Sequence, residues 1–211
     1  MNKGDNMTRI KNETINEFEI EKSRFICYLN RAFSESEARE YILSIKKLHP
    51  NATHHCTAFI IGEHNEIQRS SDDGEPSGTA GVPMLECLKM NNMNDIVAVS
   101  VRYFGGIKLG AGGLIRAYSK SVSEAIKTAT LMQTVNTQVY KITFRYDLIG
   151  KIDYYLSQHN VEILDKEYDQ EVIYTYRTTE NLETDLLEIS SGSCKPVYIK
   201  DEIVEMEVKL K

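Results

Sequence analysis

Apolar and polar residues alternate from Ile15 to Asn30 (INEFEIEKSRFICYLN), the two-residue period of one or two half-buried strands. The period then changes. Ala38, Tyr41, Ile42, Ile45 and Leu48 recur three or four positions apart, which predicts a helix. Ser34-x-x-Glu37 offers a capping box at its start, and Pro50 follows its stop. A strand is predicted over 57–62, and His64-Asn65 can turn the chain back onto 66–69. Residues 70–82 are too rich in Gly, Ser and Asp for a regular element. A short helix over 83–90 and a buried strand over 96–104 follow, then a glycine loop over 105–113 and a helix over 114–130.

The remaining pattern is cleaner. A strand is predicted over 135–146, with Tyr140, Ile142, Phe144 and Tyr146 on one face. Asp147 can cap a helix whose apolar positions are Leu148, Ile149, Ile152, Tyr155 and Leu156. Strands over 161–168 and 171–176, a helix over 182–189 and a strand over 196–208 complete the order β-α-β-β-α-β. That order is the ferredoxin-like split motif. The fold class is therefore α+β, in two domains over 14–130 and 135–211.

Composition supports this division. Eight of the 12 glycines lie between Gly74 and Gly113. Residues 1–133 hold 16 basic and 16 acidic residues, while 134–211 hold 9 and 15, so the net charge of −6 falls entirely in the second part. Hydrophobic residues make up 41%, enough for packed cores rather than disorder. The best apolar run, Ile96 to Val101, is far short of the roughly 18 residues a bilayer crossing needs. The polar start has no apolar signal-peptide region, so a cytoplasmic protein with no membrane partner is expected. Residues 1–6 are expected to be a loose lead-in, with Met7 as an alternative start. The four cysteines include no C-x-x-C pair and are read as buried thiols, so no metal and no cofactor is assigned.

Three segments carry candidate chemistry. In the first, Ser71 to Gly81, Asp72, Asp73 and Glu75 stand near Ser77 and Thr79. Such a group can bind a divalent cation, polarise a water or form a polar pocket, or it can be a surface turn held by its own Asp side chains. In the second, His54-His55-Cys56, His54 and Cys56 share one face of a strand and His55 takes the other. His54 and Cys56, with Asp73 and Glu75, are the catalytic candidates; the alternative is a half-buried strand with satisfied imidazoles. The third runs from Val101 to Arg116 and passes from a buried strand through glycines into a helix. Free N–H groups at a helix start bind anions, and glycines let a phosphate come close. Arg102, Lys108 and Arg116 supply charge, and no acidic residue lies between Ile96 and Ser123. Tyr103 and Phe104 can stack on bases. Arg102, Tyr103, Phe104, Gly105, Gly106, Lys108, Gly110, Gly112, Gly113 and Arg116 are thus the expected phosphate or nucleic-acid contacts. The alternative is a tight turn packing a helix on a sheet.

Taken together, His54-His55-Cys56, Ser71 to Gly81, Val101 to Gly110 and the upstream Lys22-Ser23-Arg24-Phe25-Ile26 resemble the IMPACT family in its bacterial YigZ-like branch. The main departure is His55, where the family pattern has Asn. The resemblance implies an N-terminal domain similar to the second domain of the fifth small-subunit ribosomal protein, a two-layer α/β fold shared with GHMP kinases. It implies a C-terminal domain similar to the ferredoxin-like modules of elongation factor G. Eukaryotic relatives restrain a stress kinase of translation by competing for its activator, but they carry a different second domain, so that partner is not transferred.

The expected function is a protein associated with RNA or the ribosome and its factors that modulates translation. The acidic second domain would suit a basic protein partner. The alternative is an enzyme acting on a phosphorylated small molecule in a pocket of the first domain, which makes better use of the carboxylates. No catalytic activity is assigned.

Overall fold

The computed structural model describes residues 7–208. The lead-in expected at 1–6 lies outside the described residues. The chain divides into two compact units, with breaks after Gln133 and after Glu205. The first unit takes in β1 (Thr8–Ile10) and residues 206–208 as well as the span from 14 to 130.

The first unit continues with β2 (Thr14–Ile20), β3 (Ser23–Arg31), α1 (Glu35–Leu48), β4 (His54–Ile61), β5 (Ile67–Ser71), α2 (Gly81–Met90), β6 (Ile96–Tyr103) and α3 (Gly110–Thr128). Its five-stranded sheet has the order β2-β3-β6-β4-β5, with neighbours antiparallel. The alternation over 15–30 resolves into two strands joined at Glu21-Lys22, both with positive φ (46° and 59°), as a two-residue hairpin turn requires. Ser34 caps α1 by accepting from the Glu37 N–H at 3.2 Å, and the Glu37 carboxylate reaches back to the Phe33 N–H at 2.8 Å.

The sheet buries both faces. On one, Phe25, Cys27, Cys56, Ala58 and Ala98 pack under Met84 and Leu88 of α2 and Leu114, Tyr118 and Val122 of α3. On the other, Tyr28, Phe59, Val97 and Val99 pack under Ala38 and Ile45 of α1. Strands buried on both faces lose clean alternation, so β6 reads as a continuous apolar run.

Two boundaries differ from the sequence reading for a physical reason. The helix expected from Leu114 begins four residues earlier, at Gly110. Glycine is a poor helix former, so the pattern hides a first turn built from three of them. The strand expected from residue 57 begins at His54, because β4 pairs with β6 from there.

The second unit comprises β7 (Leu131–Phe144), α4 (Ile149–Gln158), β8 (Val161–Tyr168), β9 (Val172–Thr178), α5 (Glu183–Ile189) and β10 (Val197–Val208). Residues 131–133 of β7 and 206–208 of β10 belong to the first unit, where the former pair with β1. Within the second unit β9 lies between β7 and β8, and β10 pairs with β7. Ile142, Phe144, Tyr174 and Tyr176 of the sheet pack under Ile152 and Leu156 of α4 and Leu186 of α5. Asp147 does not cap α4: its carboxylate is paired with Arg145 at 2.6 Å, and a short 3-10 turn over Tyr146–Leu148 leads into the helix. No helix among the described residues is long and apolar enough to cross a membrane.

Candidate functional site

The candidate site forms where β4, β6 and α3 of the first unit meet. His54 and Arg102 are register partners across β4 and β6, so their side chains leave the sheet on one face. Tyr103 leaves on the other. Beyond β6 the chain is pinned from two sides. The Phe104 N–H donates to Thr53 Oγ1 at 3.0 Å, and the Gly105 N–H donates to Ser23 Oγ at 3.2 Å. Gly105 must be glycine, since a Cβ there would stand 1.9 Å from the Lys22 carbonyl oxygen. Gly106 then turns with φ of 90°, a region glycine enters freely.

Asp72 organises the acidic loop. Its carboxylate accepts from the N–H groups of Gly78 at 2.8 Å, Ala80 at 3.0 Å and Gly81 at 2.8 Å, which also caps α2 from a distance. Burial alone would raise the Asp72 pKa, but these three bonds outweigh it and hold the group below its usual value. The loop so held turns Glu75 inward. Glu75 Oε1 accepts from Arg102 Nη1 at 2.6 Å and from the Tyr118 hydroxyl at 2.8 Å. Burial pushes the Tyr118 phenol well above its ordinary range, so it stays a donor. His54 Nδ1 lies 2.9 Å from the Asp73 carbonyl. A carbonyl only accepts, so Nδ1 carries the proton, and in the neutral ring Nε2 presents a lone pair 3.8 Å from Glu75.

These groups open onto a cavity of about 390 Å³. Its wall carries Thr53, His54, Glu75, Arg102, the ring of Phe104, Lys108, and the start of α3 at Gly110 and Ala111. Phe104 is 46% exposed and Lys108 is exposed. Leu109 provides no side-chain acceptor for the first turn of α3, so that turn's N–H groups and positive dipole end remain available to an anion.

Several expected contacts lie elsewhere. Arg102 is buried and held by Glu75 and Ser23, so it is not the free phosphate ligand expected. Asp73 takes φ of 45° and sends its carboxylate to the opposite face, where it meets Lys46 at 2.8 Å and the His55 N–H at 2.7 Å. It therefore does not share the cavity with Glu75. Ser77 is exposed, and buried Thr79 closes a turn onto the Pro76 carbonyl, so neither lines the cavity. Tyr103 bonds to His49 Nδ1 at 2.9 Å on the α1 face, away from Phe104. Gly112, Gly113 and exposed Arg116 lie further along α3, outside the cavity wall. The Cys56 thiol donates to the Asp72 carbonyl at 3.0 Å, and burial pushes its pKa up to about 12. A thiol held protonated is no nucleophile, which removes Cys56 from the catalytic candidates. Among the described residues, no three His, Cys, Asp or Glu side chains are grouped as a metal ion would need.

Comparison with known proteins gives this arrangement a family. The Impact N-terminal domain model matches residues 21–126, and a domain of unknown function, DUF1949, matches 142–193. The IMPACT family member YvyE of Bacillus subtilis is 50% identical over 77% of this chain and 75% of its own. The chain belongs to the IMPACT family. The IMPACT family member YigZ of Escherichia coli is 38% identical over 74% of this chain and 77% of its own, which places the chain in the YigZ-like branch. A crystal structure titled as that of a hypothetical protein covers 93% of this chain and 98% of its own, with 32% identity and a TM-score of 0.59. The family match spans the cleft-forming segments from Ser23 to Tyr118.

Ser23, Thr53 and Tyr118 are supporting residues that spacing alone does not mark, whereas Asp72 stands in the carboxylate segment and acts there as the Asp side chain that holds the turn. Ser23 sat within a family-like segment, but nothing local told of its bonds to Arg102 and Gly105. Tyr118 fits the apolar stripe of α3 and reads as plain core.

Proposed function

We propose that this IMPACT-family protein works in the cytoplasm, associates with RNA at the ribosome and modulates translation, with the α3 cleft as its RNA contact. One observation carries the reading: an exposed aromatic ring, Phe104, stands beside Lys108 and the unfilled start of α3 in one cavity. Phosphate contact at helix N–H groups and base stacking on an aromatic ring are two means by which proteins hold single-stranded RNA. The β-α-β-β-α-β order supports reading the second unit as a ferredoxin-like domain of the kind found in elongation factor G. Its negative charge supports a role facing a basic protein of the translation machinery.

With Arg102 engaged by Glu75, Lys108 and Arg116 are the exposed cations taken as the phosphate contacts. Binding then neutralises about two phosphates, and log affinity falls against log salt with a slope of about −1.4 for a single strand. Titrating a labelled single-stranded RNA over a range of salt measures this. The double variant Lys108→Ala, Arg116→Ala should weaken binding regardless of sequence, and Phe104→Ala should weaken it further. No binding at low salt, or binding unchanged in the double variant, rejects the cleft as the RNA contact.

His54 Nε2 and Glu75 in the same wall favour a second reading, in which a phosphorylated small molecule occupies the cavity. Competition separates the two. A nucleoside monophosphate that saturates the cleft and displaces RNA at micromolar concentration favours the small molecule.

A further inference from the structure

A second cavity of the first unit, about 400 Å³, lies on the α1 face of the sheet. Five strands span about 19 Å, whereas one helix covers about 10 Å. Here α1 is the helix packed on that face, over β4 and β6. The β4–β5 side is left as a groove, walled by Ile42, Leu43 and Lys46 of α1, by Phe59 of β4 and by Arg69 of β5, with Arg39 at its rim. Leu43 is 57% exposed.

Two further features identify an occupant. First, β5 ends the sheet and pairs only with β4 among the described residues. Strand edges invite another strand unless protected. Its protection is Arg69, whose Nη1 folds back onto the strand's own Gln68 carbonyl at 3.0 Å. The Ser71 end is closed by α2, where a Cβ on Gly81 would lie 2.6 Å from the Ser71 nitrogen. Second, the wall carries Arg39, Lys46, Arg69 and His55 but no carboxylate. Arg39 and Lys46 have acidic partners, Glu35 and Asp73, outside the wall, and His55 Nδ1 lies 3.5 Å from Asp73; among the described residues Arg69 is bonded to the Gln68 carbonyl and to no carboxylate.

We propose that this groove binds an extended acidic peptide by strand addition to β5. The peptide backbone pairs along Ile67–Ser70, a run of about 14 Å. An apolar side chain seats against Leu43 and Ile42. The incoming backbone replaces Arg69 at the Gln68 carbonyl, and the released guanidinium takes a peptide carboxylate. Main-chain bonds give affinity in this mode, and the side-chain pocket and flanking charge give specificity. Nucleic acid fits less well, because the two rings in the wall, Phe59 at 3% exposure and the His55 side chain at 11%, are turned inward and offer little stacking surface.

The test uses the full chain and a displayed library of random 12-residue peptides. Selection should enrich peptides with acidic residues flanking Leu, Ile or Phe. A synthetic peptide of the enriched sequence, followed by fluorescence anisotropy, should lose at least tenfold in affinity to Arg69→Glu and to Leu43→Asp. Both positions are exposed, so circular dichroism should show the variants folded. Arg69→Lys should recover part of the loss, and Lys108→Ala in the other cavity should leave binding unchanged. The proposal is overturned if nothing is enriched or if neither substitution weakens the selected peptide. It is equally overturned if Leu43→Asp dissolves a dimer of the wild-type chain, or if Arg69→Glu abolishes binding of a single-stranded RNA.

Discussion

Arg102 Nη1 meets Glu75 Oε1 at 2.6 Å with both side chains largely buried, 5% and 4% exposed. The pair joins the acidic loop to β6, and the Tyr118 hydroxyl ties it to α3. A buried ion pair adds little net stability over apolar packing, but removing one partner strands the other. Glu75→Ala or Arg102→Ala should each cost about 3–5 kcal/mol. The double variant Glu75→Gln, Arg102→Met should cost clearly less than the sum of the single changes. The chain has no Trp, so urea denaturation followed by circular dichroism is the measurement. Additive losses would show that the two residues act separately.

Asp72 is predicted to make the first unit acid-sensitive. Its folded pKa lies below the ordinary Asp value of 3.8, and so does that of Asp73, where burial is outweighed by Lys46 and the His55 N–H. The folded form therefore binds protons less readily than the unfolded one. The stabilisation is complete above the unfolded pKa and is lost as pH falls through the lower folded pKa. Asp72→Ala should cost about 2 kcal/mol at pH 7 by orphaning three N–H groups. It should also flatten the decline in melting temperature between pH 5 and pH 2; an unchanged decline would place the acid sensitivity elsewhere.

Cys27, Cys56, Cys87 and Cys194 are all free and buried. Burial pushes the Cys27 and Cys56 thiols up to about 12 and Cys194 up to about 11. Native protein at pH 8 should react with a maleimide far more slowly than a free thiol does, and all four thiols should react once the chain is unfolded. Rapid native labelling of Cys56 would restore it as a nucleophile.

The second unit has its own core under α4 and α5. A fragment spanning 134–211 is predicted to unfold cooperatively by itself. A broad, probe-dependent melt would show that it needs the rest of the chain.

What the sequence disclosed depended on how local the cause was. Helix α1 announces itself through Ser34, Glu37 and a 3.6-residue apolar stripe. The opposite facing of His54 and His55 follows from strand geometry alone. The Glu75–Arg102 pair is different: the two stand 27 positions apart, and only the β4–β6 register and the Asp72 bonds bring them together. Asp73 leaves the cavity because a non-glycine residue at φ of 45° reverses the chain there, which composition does not reveal. Arg102 looked available because charge along a strand carries no mark of the partner that will neutralise it.

The open start of α3 amounts to forgone stability. Ser, Asp or Asn in place of Leu109 is the ordinary way to finish a helix and is worth about 1 kcal/mol, yet Leu109 gives no such bond. An acceptor there would occupy the N–H groups that face the cleft. A screen for thermal stability alone would therefore favour changes at this position that erase ligand binding, a conflict familiar wherever a working surface is left unsatisfied. Position 109 is where selection for robustness and selection for binding should pull in opposite directions.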